Sequence, residues 1–379
     1  MNNQKIVYWA PCLGNVGTVK SVLNSAISFK KFSNKDVCII DACGEWESLD
    51  HKIQINRIKK FSLSRFKYYK YLPKTGFLSS RFSYILIFLL SFFPLLNFLK
   101  KEKPEFLVIH LITSLPLFLY FLFNFSTKLV LRISGNPKMN FFRKYYWKII
   151  KQNIYQVTSP TKELIKNLLS NNIFKDIKYL PDAIFYLDNE YKLQCKRLSE
   201  EDQLNFKYII SVGRLTKQKN HKYLINEFYK ISSTFKDLNL VILGSGEEKK
   251  NLLTLIERFN LKNRVFLIGY KKNVNYFLKN AEVFVSSSVW EEFGFAMIES
   301  AFNNTFIISS DCPNGPKEFL NDGKSGYLYE SQKEGALSEK IILFMNNKNF
   351  LTKEIFQAKK NCLQFGIFRH YLEFNKILN

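Results

Sequence analysis

The residues best suited to chemistry sit in one segment, VWEEFGFAMIESA, at 289–301. It follows a strand-like run, EVFVSS (282–287), and reads as a loop holding Glu291, a turn at Phe293-Gly294 and a helix from about Phe295. The free N–H groups and positive dipole end of that helix make a site for a phosphate. Glu299, about one turn further in, offers a carboxylate to paired hydroxyls such as those of a ribose. Glu291 at the loop tip can accept from the hydroxyls of a sugar beyond the phosphates. By itself the spacing of these two acids also fits a solvated loop and a helix surface.

A second segment supplies the opposite charge. SVGRLTKQKNHKYLINEF (211–228) follows a strand-like run, KYIISVG, with Arg214 and, five residues later, Lys219. Two cations at the mouth of a sheet suit a diphosphate, the Arg as a planar fork and the Lys as a point charge. LGSGEE (243–248) ends the next strand with Gly244 and Gly246, which let backbone approach a ligand closely. This two-glycine turn lacks the third glycine of the dinucleotide fingerprint. No DxD triplet occurs in the chain, so a metal-bridged diphosphate lacks its usual ligands, and neither a metal nor another cofactor is expected.

The elements that position these residues follow a regular order. Strands are expected at 207–213, 238–244, 264–269, 282–287 and 305–310, with amphipathic helices between them, such as 221–232 with Leu224, Ile225 and Phe228 on one face. The first half opens with QKIVYWA, the loop PCLGNVGT and a helix from about Thr18 to Phe32, then a strand at 36–41. Strands at 106–112, 128–134, 154–157 and 177–180 alternate with helices at 114–125, 141–152 and 161–169. Short apolar runs alternating with helices imply βαβ units and parallel sheets. The polar stretch 187–206 reads as a linker. The expected fold is therefore α/β, two Rossmann-like domains (1–186 and 207–360) facing a cleft at the carboxyl ends of their strands. Residues 361–379 form a helix expected to cross back to the N-terminal domain.

The chain has 379 residues, ordinary apolar content and a net charge of +24; this excludes a disordered or fibrous protein and brings in an anionic partner or surface, beside a plain A/T-biased composition as the other source of the excess. That charge is concentrated: residues 1–200 hold 31 basic and 13 acidic side chains, and His51–Lys101 holds eleven Lys/Arg and no acid. Phe61, Phe66, Tyr68, Tyr69, Tyr71 and Phe77 interleave with these cations, a combination that fits the headgroup zone of an anionic bilayer. Nucleic acid is not expected, because no helix-turn-helix, zinc or RRM signature accompanies the basic stretch. Two uncharged runs are long enough to be membrane spans, Phe82–Leu99 and Phe106–Thr127. The second, with His110 and Pro116 inside it, reads as a strand followed by a helix. For the first, a buried helix, an interfacial helix and a span all stay open. The six cysteines show no CxxC pair or zinc-finger spacing, and the N-terminus lacks a signal-peptide run, as expected of a cytoplasmic protein, peripheral at the inner face of the membrane.

With these motifs in order, the sequence resembles the GT-B glycosyltransferases, specifically the retaining family 4 group. GRLTKQKN, LGSGEE, the strand-ending IGY (268–270), WEEFGFAMIESA and DCPNGPKEFLNDGKSGYLY (311–329) carry the resemblance; GNVGT (14–18), LRISGNPKMNFFRKYYWK and YLPD resemble bacterial surface-polysaccharide members. Glu292 departs from the pattern, standing where the family usually has Gly. The resemblance implies that Arg214 and Lys219 neutralise a donor diphosphate, that Glu299 holds the ribose and Glu291 the donor sugar, and that backbone from Gly294 through Phe295 and Ala296 to Met297 meets phosphate. It places Ile268–Tyr270 at the base, Gly14 and Gly17 at the donor from the other domain, and His110 near the reacting carbon; a strand-end core histidine is the other reading of His110.

The function expected is transfer of a hexose or N-acetylhexosamine from a nucleotide sugar, a UDP-sugar by family habit, to a lipid-linked glycan acceptor in capsule, O-antigen or related glycan synthesis, with retention. Two alternatives remain at this stage: a nucleotide-sugar epimerase of the same architecture, and a non-enzymatic membrane or nucleic-acid binder using residues 51–101.

Overall fold

The structure, a computed structural model, describes residues 5–14, 17–73, 77–137, 139–186 and 203–379. Its contacts divide the chain into two units, Met1–Phe185 with Phe365–Asn379, and Tyr186–Gln364. Most of the stretch expected as a linker, residues 187–202 with Cys195, lies outside the described residues, as do Asn15 and Val16 of the first glycine loop.

Unit 1 is built on a seven-stranded sheet of β1 (Lys5–Trp9), β2 (Asp36–Asp41), β3 (Lys59–Ser62), β4 (Phe106–Ile109), β5 (Lys128–Arg132), β6 (Gln156–Ser159) and β7 (Lys178–Tyr179), in the order β3-β2-β1-β4-β5-β6-β7. Every pairing is parallel. Its helices are α1 (Gly17–Phe32), α2 (Asp50–Ile55), α3 (Phe77–Glu102), α4 (Ser114–Leu122), α5 (Phe141–Ile150) and α6 (Lys162–Leu169). Phe106–Thr127 is the strand and helix expected from its sequence, β4 and α4. The central strands are apolar at nearly every position, as parallel strands covered on both faces must be; Ile6 to Trp9 and Phe106 to Ile109 are fully buried.

Unit 2 repeats the scheme with β8 (Tyr208–Val212), β9 (Asn239–Leu243), β10 (Val265–Gly269), β11 (Val283–Ser286), β12 (Phe306–Ser310) and β13 (Tyr327–Tyr329), in the parallel order β10-β9-β8-β11-β12-β13. Between and after them run α7 (His221–Ser232), α8 (Lys249–Arg258), α9 (Val274–Lys279), α10 (Phe295–Phe302), α11 (Gly315–Phe319), α12 (Ala336–Asn347) and α13 (Thr352–Cys362). The stripe of α7 named from sequence, Leu224, Ile225 and Phe228, is fully buried. Because all six strands run parallel, their carboxyl ends share one edge, and every loop leaving that edge faces the same way.

The chain then returns to unit 1 through α14 (Ile367–Leu378), which packs on α1. Phe29 meets Phe374 edge-on at 5.4 Å. His370 is buried there, its Nδ1 2.8 Å from Pro181 O and its Nε2 2.8 Å from Ser25 Oγ. Since the carbonyl can only accept, Nδ1 carries the proton, Ser25 donates to Nε2, and the Tyr8 hydroxyl, 2.9 Å from Ser25 Oγ, donates in turn.

Candidate functional site

The loops at the carboxyl edge of the unit 2 sheet are stitched to one another by backbone hydrogen bonds. Leu215 N donates to Ser245 O at 2.9 Å, Gly244 N to Gly269 O at 2.8 Å, and Val289 N to Gln218 O at 2.8 Å. Glu291 N donates to Pro313 O at 3.3 Å and Gly315 N to Glu291 O at 3.2 Å. The segments after β8, β9, β10, β11 and β12 thus form one continuous rim, and every residue singled out in unit 2 lies on it or on the helix that leaves it.

At its centre Lys219 Nζ forms an ion pair with Glu291 Oε1, and Ser288 Oγ donates to the same oxygen at 2.8 Å. Ser287 Oγ holds the Lys219 carbonyl at 2.8 Å, fixing the loop that carries the cation. Lys219, Glu291, Gly294, Ala296 and Met297 line a single cavity with Ser286–Ser288. Gly294 stands immediately before α10 with φ +74°, a left-handed conformation that costs a side-chain-bearing residue about 1–2 kcal/mol. Met297 N donates to Gly294 O at 2.9 Å, so within the first turn of α10 the N–H groups of Phe295 and Ala296 are the ones left without intrahelical partners. Phe295 opens that helix, half-buried, and Glu299, also half-buried, follows one turn on. Arg214 is exposed on the loop after β8, and Tyr270, 65% exposed, follows β10.

Glu292 faces elsewhere. Asn314 Nδ2 donates to its Oε1 at 3.2 Å, and it does not line the cavity. The residue that departs from the family pattern is therefore engaged by the loop after β12, while Glu291 keeps the cavity.

Gly244 and Gly246 require a correction. Their small size reads from sequence as room for a ligand. A Cβ on Gly244 would lie 1.8 Å from Gly213 O, and one on Gly246 would lie 2.3 Å from Leu215 O. The space a side chain would need is taken by the neighbouring loop, so these glycines let two loops pack.

Sequence reasoning missed His221. It opens α7, is 3% exposed, lines the same cavity, and its Nδ1 has no hydrogen-bond partner among the described residues. Burial, reinforced by the Lys219 charge, pushes its pKa down to about 3, so the ring is neutral. Its sequence neighbours Asn220 and Lys222 mark it as surface; only the position two residues after Lys219 pointed inward.

The remaining candidates lie in unit 1. Gly14 follows β1 with open space where a Cβ would stand, and Gly17 is the exposed first residue of α1. His110 directly follows β4, its N–H bonded to Trp9 O at 2.8 Å. Burial, then the nearby Arg132 charge, pushes its pKa down to about 3, and its Nδ1 lacks a partner among the described residues. Arg132, opposite it at the end of β5, pairs through Nη2 with Asp182 at 2.7 Å, and Ser21 donates to the same carboxylate oxygen at 2.7 Å.

Residues 196–361 match the family described as Glycosyl transferases group 1. The match spans the rim and cavity just described. An uncharacterized glycosyltransferase of Methanocaldococcus jannaschii is 30% identical over 248 residues, covering 60% of this chain and 61% of that one. The N-acetylgalactosamine-N,N'-diacetylbacillosaminyl-diphospho-undecaprenol 4-alpha-N-acetylgalactosaminyltransferase of Campylobacter jejuni is 29% identical over 221 residues, covering 57% of this chain and 60% of its own length. The chain thus spans about three fifths of the length of these relatives. A crystal structure of a Staphylococcus aureus TarM mutant in complex with Fondaparinux, alpha-GlcNAc-glycerol and UDP superposes with a TM-score of 0.77 at 16% identity, over 99% of this chain and 100% of that one. That likeness bears out the fold expected from sequence, two Rossmann-like domains of the GT-B type.

Proposed function

We propose that the protein transfers a hexose or N-acetylhexosamine from a UDP-sugar to a lipid-linked saccharide acceptor in surface-glycan synthesis, with retention and without a metal. The observation that carries this reading is the Lys219–Glu291 ion pair at the foot of α10, which puts a cation, a carboxylate and a helix N-terminus around one cavity. The family matched by residues 196–361 and the undecaprenol-linked substrate in the name of the Campylobacter relative support it.

In this reading the diphosphate of the donor lies against Arg214, Lys219 and the first turn of α10, and Glu299 accepts from the ribose hydroxyls. The base rests near Ile268–Tyr270. Lys219 exchanges part of its bond to Glu291 for phosphate oxygen, which frees Glu291 to accept from the sugar. When the bond from sugar to diphosphate breaks, its electron pair leaves with the diphosphate, and these fixed positive groups stabilise the charge as it develops. In unit 1, His110 stays neutral at physiological pH. The acceptor is presented from an anionic membrane surface at the cytoplasmic side, which the basic N-terminal half suits.

The test is turnover of a panel of UDP- and GDP-sugars by the purified protein with polyprenyl-linked acceptors, in EDTA and with added divalent cations. Transfer from a UDP-sugar that survives EDTA, with the donor's anomeric configuration kept in the product, is the expected result. Absence of transfer and of donor hydrolysis across the panel would overturn the assignment.

A further inference from the structure

Helix α3 uses only one of its two apolar sides. Ile87, Leu95 and Leu99 are buried in the core of unit 1, and Ser83 and Ser91, on the same side, are buried with them. On the opposite side Phe82, Ile85, Leu89 and Phe93 are 61%, 59%, 62% and 68% exposed. Steps of three and four residues align these four in a single stripe.

The stripe does not end with α3. Ring contacts run from Phe88 to Phe118 at 5.8 Å, from Phe118 to Phe121 at 6.4 Å and from Phe121 to Tyr146 at 6.5 Å, joining α3 to α4 and α4 to α5. Along that path Phe121 and Leu122 are each 48% exposed, and on α5 Phe141 and Phe142 reach 77% and 81%. The stretch of chain that carries it is strongly basic. Residues 51–162 hold twenty Lys/Arg and two acids, Glu102 and Glu105. Lys5 pairs with Glu102 at 2.6 Å and Lys35 with Glu105 at 3.5 Å. Arg81, Arg143, Lys144 and Lys148 are exposed on α3 and α5 themselves.

We propose that the exposed face of α3, α4 and α5 docks on an anionic lipid bilayer, with α3 lying in the plane of the headgroup–acyl boundary. A spanning α3 would have to withdraw Ile87, Leu95 and Leu99 from the core of unit 1. An interfacial helix keeps them there and buries only the outward stripe. A second copy of the chain would set two basic faces against each other, whereas anionic lipid complements the charge. The purpose of the surface rests on the lipid-linked acceptor proposed above, but docking is measured without any sugar donor.

The full chain is sedimented with vesicles of phosphatidylcholine alone or mixed with phosphatidylglycerol, beside a variant carrying Leu89→Ser, Phe93→Ser, Phe141→Ser and Phe142→Ser. All four side chains are exposed, so the variant keeps the wild-type melt. The wild type pellets with the anionic vesicles, and the four substitutions weaken its partition at least about tenfold. Raising ionic strength from about 0.01 M to about 0.15 M, which shortens the Debye length from roughly 30 to 8 Å, weakens wild-type binding too. The proposal fails if the wild type stays in the supernatant, if the variant binds as well as it does, or if recombinant membranes hold the chain through alkaline extraction. It also fails if the substitutions only dissociate a lipid-free dimer, or if binding follows added RNA rather than lipid. Transfer to a water-soluble acceptor analogue separates the two readings: unchanged transfer with absent docking sinks this surface alone, and docking without transfer sinks the enzymatic one alone.

Discussion

Lys219 and Glu291 stand 72 positions apart in the chain and form one ion pair in the fold, tying the loop after β8 to the loop after β11. Their side chains are 20% and 10% exposed, so each has given up most of its water for the other. Ser288, three residues before Glu291 on the loop after β11, holds the carboxylate in place.

Removing one partner leaves the other charge without its counter-ion. Lys219→Ala is expected to destabilise unit 2 by roughly 2 kcal/mol, between the small value of exposed pairs and the larger one of buried pairs. Adding Glu291→Gln to that variant removes the stranded charge and restores part of the loss. Urea unfolding of the two single variants and the double variant checks this, and strictly additive losses would show that the two side chains are not coupled.

The two glycines of LGSGEE give a second expectation. Gly244→Ala puts a methyl group on backbone oxygen at a residue whose φ is +142°, so a loss of about 2–3 kcal/mol is expected, with Gly246→Ala similar. Gly14→Ala is the contrast: no atom lies within 4 Å of its new Cβ, and stability should stay within about 0.5 kcal/mol of wild type. Thermal melts of the three variants decide it, and a Gly244→Ala protein that melts like wild type would mean the two loops part easily.

Stability should fall in acid through the buried histidines. Burial first, then the Arg132 charge, depresses the His370 pKa to about 4, against the bond to Pro181 O that raises it. Its ordinary value in the unfolded chain is 6.5. Below pH 6.5 the unfolded chain therefore takes up a proton that the folded chain refuses. The stability is complete above that value and drains away as pH falls toward 4, by roughly 2 kcal/mol at pH 5. His370→Gln removes the titration, and its melting temperature should change less than the wild type's between pH 7.5 and 5. Parallel curves for the two proteins would contradict the assignment.

How much of this was legible in the chain depended on periodicity. The helix read from Leu224, Ile225 and Phe228 spans His221–Ser232, and the five strands expected in the C-terminal half all form. Their apolar runs are long and bounded by glycine or polar turns. β3 was missed because its edge position leaves Lys59, Phe61 and Ser62 exposed, which erases any alternation of buried and solvated residues. β13, three residues inside a turn-rich segment, was too short to carry a pattern. The strand expected at 154–157 forms at Gln156–Ser159, since Ile154 ends a short helical turn instead. At the site, residue types and order announced Arg214, Lys219, Glu291 and Glu299. The ion pair was not legible, because nothing local links positions so far apart. His221 was hidden by its polar neighbours.

The adjacent acids Glu291 and Glu292 supply the sharpest test of the proposed site. Glu291 lines the cavity and pairs with Lys219, whereas Glu292 accepts from Asn314 and faces the loop after β12. Both carboxylates tie loops, so either substitution can cost stability, but only the one that holds the donor sugar should cost turnover when neutralised. Glu291→Gln is expected to lower kcat about 100-fold, the scale of removing one positioned polar group from a transfer site. Arg214→Ala, exposed and so without effect on the melt, should lower it as much. Glu292→Gln should leave kcat within about threefold of wild type, because its bond to Asn314 is not part of charge development in the reaction. Single-turnover rates for the three variants read this directly. If Glu292→Gln lost activity while Glu291→Gln kept it, the two carboxylates would have to exchange roles, and the donor sugar would belong on the side of the rim next to Asn314.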